Sequence, residues 1–191
     1  MLNAAALPDH IALCVSESRS RLLETLVSEF RTAFAGIEYQ VDARTRIVNA
    51  QAFGSGDARF VRLYGGFAFH PLVSEDALAF TLLHETGHHL ARGRRFAGDP
   101  RLACDCLADR WAVGIGGKAL RQRSGRTMNL SRALESLDAI ITSISPGRDS
   151  AAPRRRSHRL QACWAGFWPT RKSRLGRGHT PVPTGPCYYS C

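Results

Sequence analysis

The residues His84, Glu85 and His88 have the types and the spacing of a hydrolytic metal site. Positions four apart lie on one face of a helix, so His84 and His88 can offer imidazole nitrogens to a single metal ion. Glu85 lies about 100° further round the helix, where its carboxylate can deprotonate a metal-bound water molecule. The motif His-Glu-x-x-His therefore predicts a zinc ion (Zn2+) at His84 and His88, with Glu85 as the catalytic base.

The flanking residues predict that this motif lies on a helix within residues 74–93. Ser74 is a favourable N-cap residue, and Glu75 and Asp76 add negative charge to the first turn. Leucines at positions 78, 82 and 83 recur at helical spacing, and Gly93 suits the position just after the last turn. Gly87, inside the predicted helix, costs about 1 kcal/mol relative to alanine. That cost indicates that another segment packs closely against the same turn.

Two carboxylates further along the chain can complete the metal site. A catalytic zinc ion commonly takes three protein ligands and leaves a fourth position for water. Asp105 and Asp109 are four residues apart and lie on one face of a second predicted helix, residues 102–113. One aspartate can bind the metal, while the other accepts a hydrogen bond from the distal nitrogen of a ligand histidine. The spacing alone permits either assignment.

The remaining pattern predicts an α+β fold in which a small sheet packs on the motif helix. Residues 37–41 alternate apolar and polar side chains, and two further extended segments precede the motif. A basic, turn-rich loop is predicted at 94–100, and glycines at 114, 116 and 117 are predicted to end the second helix. The predicted elements are helix 17–35, strands 37–41, 47–53 and 60–64, helices 74–93 and 102–113, and helix 130–144.

Charge divides the chain of 191 residues into two parts. The net charge is +10, but residues 1–149 hold 18 of the 26 Lys and Arg residues and all 16 Asp and Glu residues, a balance of +2. Residues 150–191 hold the other 8 basic residues and no acidic residue. We therefore predict a folded domain at 1–147 and a basic Arg- and Pro-rich tail at 148–191, partly docked or disordered.

Composition also bears on location. No run approaches the roughly 18 apolar residues that a membrane span requires, so no membrane span is expected. The first nine residues lack the basic and apolar pattern of a signal peptide, which favours a cytoplasmic location. The six cysteines contain no Cys-x-x-Cys pair and are expected to be free thiols, with Cys104 and Cys106 as small buried side chains.

The combined pattern resembles the gluzincin metallopeptidases, especially the branch that contains the CAAX prenyl protease and the HtpX-type enzymes. Those enzymes have His-Glu-x-x-His on one helix and Glu-x-x-x-Asp on a later one, where this chain has Asp105-Cys106-Leu107-Ala108-Asp109. Asn49-Ala50 and Gly65-Gly66-Phe67 match segments upstream, so the resemblance covers residues 47–113. It implies a minimal zincin-like fold over 1–147, with Asp105 as the third zinc ligand and Asp109 supporting a ligand histidine.

Three features differ from the family pattern. The ligand position holds Asp rather than Glu, one methylene shorter, so the second helix must approach the first more closely or the ion must shift. The connection from His88 to Asp105 is short, residues 89–104. The transmembrane helices of the membrane-bound relatives are also missing. The resemblance therefore implies a minimal catalytic core and does not imply the relatives' substrates.

The resulting hypothesis is a zinc metalloendopeptidase that hydrolyses peptide bonds with a zinc-bound water and Glu85 as general base. Its partner is a peptide or protein substrate, which the strand at 60–64 is expected to align by pairing with it. One alternative is a regulatory or weakly active zinc-binding module that acts on a single partner protein. Another is nucleic-acid binding, which the charge distribution restricts to the basic tail.

Overall fold

Helices and strands are interspersed in the part of the chain that the computed structural model describes, residues 5–144. A three-stranded sheet, two short ribbons and several helices make up an α+β structure, which confirms the predicted class. The predicted domain boundary at 147 and the tail at 148–191 lie outside the described residues. In chain order the elements are β1 (Ala5–Ala6), α1 (Glu17–Ala33), β2 (Glu38–Asp42), β3 (Ile47–Val48), β4 (Ala50–Ser55), β5 (Ala58–Tyr64), α2 (Gly65–Ala68), α3 (Glu75–Leu90), β6 (Arg95–Phe96), β7 (Asp99–Ala103), α4 (Asp105–Trp111), a π-helical turn (Ala112–Gly116), α5 (Gly117–Ser124) and α6 (Leu130–Ile144).

The three-stranded sheet has β5 at its centre and β2 and β4 at its edges. β2 runs parallel to β5, whereas β4 is antiparallel to it, with Ala50 opposite Leu63 and Ala52 opposite Val61. These four side chains are buried and form the inner face of the sheet. β4 and β5 form a hairpin around Gly56, whose φ of 57° is easily adopted by glycine.

α1 begins as the sequence predicts and packs against β2 and α5. Ser16 is its N-cap residue, because its hydroxyl accepts a hydrogen bond from the Arg19 main-chain N–H at 3.2 Å. Phe30 is fully buried, and its ring meets the ring of Tyr39 edge-on with the centroids 5.5 Å apart. The helix thereby fixes the position of β2 at one edge of the sheet.

α3 is the central helix of the fold. Each residue from Ala77 to His88 is buried, so the helix is enclosed on all sides rather than amphipathic. Ser74 caps the first turn, as predicted, by accepting a hydrogen bond from the Ala77 N–H at 3.1 Å. The end of the helix differs from the prediction, because the backbone already becomes extended at Ala91, and Gly93 lies in the following loop with φ of 132°.

The second helix of the predicted site begins later than expected, and the glycines that follow it do not end the helical segment. α4 begins three residues later than expected because residues 99–103 form β7. The chain then makes the π-helical turn and continues into α5. Packing explains this continuation. Gly116 lies so close to the Trp111 indole that a Cβ at position 116 would come within 2.4 Å of the ring. Leu120 is buried where α5 packs on α1. These contacts offset the cost of about 1 kcal/mol per helical glycine.

The segment 94–100, predicted as a loop, instead contains most of the β6–β7 hairpin. Phe96 is opposite Asp99, which leaves Ala97 and Gly98 for the turn. The sequence signal was weak because the strands are short and basic, without the alternating apolar residues that normally indicate a strand. β7 packs against α3 and β4, so the hairpin borders the helix that bears the histidines.

α6 spans the predicted range and packs on α3 with one apolar face buried. Two of its serines tie it to the loop before α3. Ser136 Oγ donates a hydrogen bond to the Leu72 carbonyl at 2.7 Å, and Ser143 Oγ lies 3.2 Å from Nε2 of the fully buried His70. None of the helices within residues 5–144 combines the length and the apolar character needed to cross a bilayer.

Candidate metal centre

Three side chains that are separate in the sequence converge between α3 and α4. His84 Nε2 and His88 Nε2 are 3.1 Å apart. Asp105 Oδ1 lies 3.7 Å from the first of these nitrogens and 3.5 Å from the second. Donor atoms of all three residues therefore lie within 4.8 Å of one another, which is close enough for one metal ion to contact each of them.

The hydrogen bonds of the two imidazoles determine which nitrogens face the centre of this triangle. His84 Nδ1 lies 2.6 Å from Asp109 Oδ1, and His88 Nδ1 lies 2.6 Å from the carbonyl oxygen of Ala103. An ionised carboxylate and a carbonyl can only accept, so each Nδ1 carries the proton and donates it. In the neutral rings both Nε2 atoms then present lone pairs to the centre of the triangle, where a cation, or a proton on one of the rings, would relieve their repulsion.

Glu85 lies beside this triangle rather than in it. Its Oε1 is 3.9 Å from His84 Nε2, and its Oε2 is 4.0 Å from His88 Nε2. The main-chain N–H of Ala52 in β4 donates to Oε2 at 2.8 Å, and the carboxylate is only 3% exposed as part of the buried helix face. A buried acid held beside a metal site by a strand can act as a base towards a water molecule at the centre.

A close approach of α4 to α3 brings Asp105 into the site. At Gly87 a Cβ would lie 2.7 Å from the Ala108 carbonyl oxygen and 2.9 Å from Ala108 Cα. Any side chain at position 87 would therefore force the two helices apart. This confirms the inference that the glycine inside the motif accommodates a closely packed segment.

The ligand residues differ in their exposure to solvent. The side chains of His84 and His88 are 1% and 2% exposed, whereas that of Asp105 is 19% exposed. The site therefore opens to solvent on the side of α4. Burial raises the pKa of the Asp105 carboxyl, but nearby positive charge outweighs burial and holds this pKa below its usual value. An ionised carboxylate is the form that a metal requires.

The strand beside the site is β4, and the assignment of substrate alignment to the strand at 60–64 was wrong. β5 is paired with β2 on one side and β4 on the other, so neither of its edges is open to a peptide. β4 is an edge strand. The Ala52 N–H points to Glu85, and the Gly54 carbonyl accepts a hydrogen bond from Arg101 Nη2 at 3.3 Å, so these groups face away from β5.

The cysteines next to Asp105 do not both match the expectation of free thiols. Cys104 is a buried free thiol at the residue before α4, and Cys14 is also free. Cys106 is disulfide-bonded, which corrects the prediction for this residue. Neither Cys104 nor Cys106 joins the group of three metal-binding donors, within the residues that the structure describes.

Two further histidines have partners elsewhere. His89 Nε2 donates a hydrogen bond to the Phe60 carbonyl at 2.9 Å, and burial is the main cause of its lowered pKa. His70 is buried against α6 and is not among the metal-binding donors of the described part of the chain. Both therefore have structural partners, which is the interpretation that the sequence favoured for His89.

Sequence reasoning missed two main-chain groups that define the site. The Ala103 carbonyl fixes the ring of His88, and the Ala52 N–H fixes Glu85. Every residue except proline has the same main-chain donor and acceptor, so nothing in the residue types identifies these two positions. Only the placement of β4 and β7 beside α3 does so.

Comparisons of the chain with protein-family models, with curated proteins and with solved structures find no match. A functional proposal therefore rests on the geometry of the site and on the motif residues.

Proposed function

We propose that this chain is a zinc-dependent metallopeptidase with a minimal zincin-like fold, similar in its motifs to the gluzincins. One observation carries the proposal. Two histidine nitrogens and one aspartate oxygen converge, while the Glu85 carboxylate lies 3.9–4.0 Å from the nitrogens and outside the ligand group. A purely structural metal site has no use for a buried carboxylate in that position, whereas hydrolysis needs a base there.

The donor chemistry and the spacing both favour zinc. Two imidazoles and one carboxylate form a common three-ligand set of catalytic zinc sites. Zinc–ligand bonds of about 2.0–2.1 Å at tetrahedral angles bring neighbouring donor atoms to roughly 3.3 Å from one another. The three observed separations are 3.1, 3.5 and 3.7 Å, close to that value.

In the proposed mechanism each residue has one task. A bound zinc ion supplies Lewis acidity and lowers the pKa of water to about 7. Asp109 and the Ala103 carbonyl hold the two imidazoles in the tautomer that presents Nε2. Glu85 accepts a proton from the attacking water and passes it to the leaving amine. The Ala52 N–H occupies Oε2, so Oε1 is the oxygen available for this proton transfer.

The substrate in this proposal is an extended peptide that pairs with the outer edge of β4 at the Ala52 carbonyl and the Gly54 N–H, because the Ala52 N–H is bonded to Glu85 and the Gly54 carbonyl is bonded to Arg101. Main-chain groups of Ala52 and Gly54 face away from β5, and Ala52 also contacts Glu85. A peptide paired with this edge therefore passes the metal-binding triangle. Main-chain pairing supplies affinity without strict sequence preference, as in other complexes formed by strand addition.

The zinc assignment is tested by metal analysis of purified protein. We expect the wild type to bind one zinc per chain, and the double variant His84→Ala, His88→Ala to lose stoichiometric zinc. The matched control is His10→Ala, an exposed histidine outside the site, which should keep the metal. Full retention of zinc in the double variant would contradict the assignment.

The catalytic assignment is tested by Glu85→Gln, which keeps the size and hydrogen bonding of the side chain but cannot accept the proton. We expect hydrolysis of a peptide-library substrate to fall by about 10²–10⁴-fold, since general-base catalysis contributes this much. Zinc content should stay unchanged, and the exposed Glu24→Gln control should keep full activity. Undiminished hydrolysis in Glu85→Gln would show that Glu85 is not the catalytic base. A zinc-loaded wild type that cleaves no peptide would contradict the peptidase function and favour the alternative of a regulatory metal site.

A further inference from the structure

Arginines that the mechanism does not use border one end of the β4 edge. Gly54 is two positions from Ala52, roughly 7 Å along a strand, and its carbonyl accepts a hydrogen bond from Arg101 Nη2 at 3.3 Å. Arg59 is opposite Gly54 in the pairing of β4 with β5. Arg95 Nη1 donates to the Arg101 carbonyl at 3.4 Å. Arginines from three strands, β5, β6 and β7, thus lie at the same end of the β4 edge.

This group keeps a net positive charge. Asp99 is its acidic member, and its carboxylate accepts hydrogen bonds from Arg101 Nε at 3.0 Å and Nη2 at 2.8 Å. These bonds hold the pKa of Asp99 at about 2, so it is ionised at neutral pH. Three arginines and one aspartate leave a charge of +2. Among residues 5–144, no carboxylate forms an ion pair with Arg59 or Arg95.

Part of this charge is exposed beside the β4 edge. Asp99 fixes the Arg101 guanidinium, which packs so closely on the strand that a Cβ on Gly54 would lie 3.3 Å from Arg101 Cζ. The Arg101 side chain nevertheless remains 57% exposed, so part of the guanidinium is accessible. Arg59 precedes Phe60, whose carbonyl accepts a hydrogen bond from His89 Nε2 at 2.9 Å, so this end of β5 lies beside the last turn of α3. A peptide that follows β4 from Ala52 to Gly54 would therefore approach these side chains.

We propose that Arg59, Arg95 and Arg101 form a subsite, called here the arginine subsite, for a carboxylate of the peptide substrate. The spacing of Gly54 from Ala52 assigns that carboxylate to a residue about two positions from the cleaved bond. This inference rests on the proposed peptidase function and adds the substrate class, peptides with an acidic group at that distance. Guanidinium groups suit this ligand because their planar donors match the two oxygens of a carboxylate.

The kinetic test compares otherwise identical quenched fluorescent peptides that carry Glu, Gln or Lys at successive positions around the cleaved bond. We expect wild-type kcat/KM to favour Glu over Gln by about 3- to 20-fold at one position, the combined effect of two or three exposed ion pairs. The double variant Arg59→Gln, Arg101→Gln should lose this preference, so that its kcat/KM values for the Glu and Gln peptides become equal. The control Arg121→Gln removes one positive charge from α5, which packs on α1, and should keep the preference for Glu. Equal kcat/KM for Glu and Gln at every position would overturn the subsite while leaving the peptidase function intact.

A binding measurement separates the subsite from the catalytic proposal. Fluorescence anisotropy with the zinc-loaded Glu85→Gln variant should give tighter binding for the labelled Glu peptide than for the Gln peptide. Combining this variant with Arg59→Gln and Arg101→Gln should abolish the difference. If the wild type cleaves nothing but this difference persists, the subsite stands and the peptidase function fails. No difference in affinity overturns the subsite in either case.

The carboxylate can come from a side chain or from the end of a peptide, and the two sources are distinguished by amidation. A preference for Glu that persists in peptides with an amidated C-terminus supports an acidic side chain as the ligand. A preference that requires a free terminal carboxylate two positions from the cleaved bond supports a C-terminal substrate. Peptides with neither group should bind the wild type and the double arginine variant equally. Tighter binding of such neutral peptides by the wild type would show that the arginines act without recognising a carboxylate.

Discussion

The length of the side chain at position 105 determines how closely the two ligand helices must approach each other. An aspartate reaches less far than a glutamate, yet Asp105 Oδ1 lies 3.5 Å and 3.7 Å from the two histidine nitrogens. It does so because α4 packs directly on the backbone of α3 at Gly87. The short acid and the missing side chain are therefore complementary, and a change at either position affects the other.

The two aspartates of α4 should differ in their effect on metal binding. We expect Asp105→Ala to weaken zinc affinity more than Asp109→Ala, because Asp105 is a ligand in our proposal whereas Asp109 only orients His84. Loss of such an orienting partner typically costs about 10–100-fold in affinity. Competition with a chromophoric chelator measures both constants, and Asp57→Ala in an exposed turn is the control. A larger loss for Asp109→Ala would reverse the two roles.

At this scale the sequence was informative where chemistry depends on side chains. The i, i+4 spacing of His84 and His88 requires only a helix, and helical signals around Ser74 were strong. The choice between Asp105 and Asp109 needed a family resemblance, because both lie on the same helix face. The contacts from Ala52 and Ala103 depend on tertiary placement of main-chain groups, which no local pattern encodes.

At the scale of elements, Gly87 controls the distance between α3 and α4. Alanine is favoured over glycine in a helix by about 1 kcal/mol, but overpacking of a close contact costs about 1–3 kcal/mol. We therefore expect Gly87→Ala to lower the free energy of unfolding by up to about 2 kcal/mol, with a loss of zinc affinity as Asp105 is displaced. Urea unfolding and metal titration measure the two effects.

The matched control for this substitution is Gly114→Ala in the π-helical turn, where a Cβ would meet nothing within 4 Å. That variant should be as stable as the wild type or more stable, by up to about 1 kcal/mol, with unchanged zinc affinity. If Gly87→Ala behaves like Gly114→Ala, the close approach of the helices is not needed for metal binding.

Helices and strands are predicted correctly where an apolar repeat extends over several turns, and incorrectly where tertiary contacts determine the local structure. α6 has the predicted bounds because its apolar residues recur over four turns. The β6–β7 hairpin was missed because its strands are short and rich in arginine. The glycines after Trp111 predict a helix end, but packing of the indole on Gly116 and of α5 on α1 overrides their low helix propensity.

At the scale of the whole molecule, buried His70 couples the loop before α3 to α6. Its Nδ1 accepts a hydrogen bond from the Leu72 N–H at 3.1 Å, so Nε2 carries the proton and donates to Ser143 Oγ. Burial lowers the pKa of His70 below its usual value of 6.5. Above that pH the ring is neutral in both states. Below it the unfolded chain binds a proton that the native state does not, so stability falls as the pH falls towards the native pKa.

We expect this histidine to make the protein less stable in mild acid. Urea unfolding at pH of about 7.5 and about 5.5 measures how much unfolding free energy the protein loses on acidification. This loss should be smaller in His70→Asn than in the wild type, because asparagine keeps an acceptor for the Leu72 N–H but does not titrate. The exposed His10→Asn control should lose as much as the wild type. Because the ligand histidines titrate equally in all three proteins, the difference between variants isolates His70. Equal losses in His70→Asn and wild type would rule out this coupling.

The three proposed metal ligands lie in one continuous piece of chain, residues 84–105, whereas Glu85 is held by Ala52 from 33 residues away. Closing a short loop costs less entropy than closing a long one, and local contacts form early in folding. We therefore expect α3, the β6–β7 hairpin and α4 to assemble around zinc before β4 reaches the base. Zinc should then raise the folding rate as well as slow unfolding, which stopped-flow refolding with and without the ion would measure. An unchanged folding rate would mean that the ion is captured only after the sheet has formed.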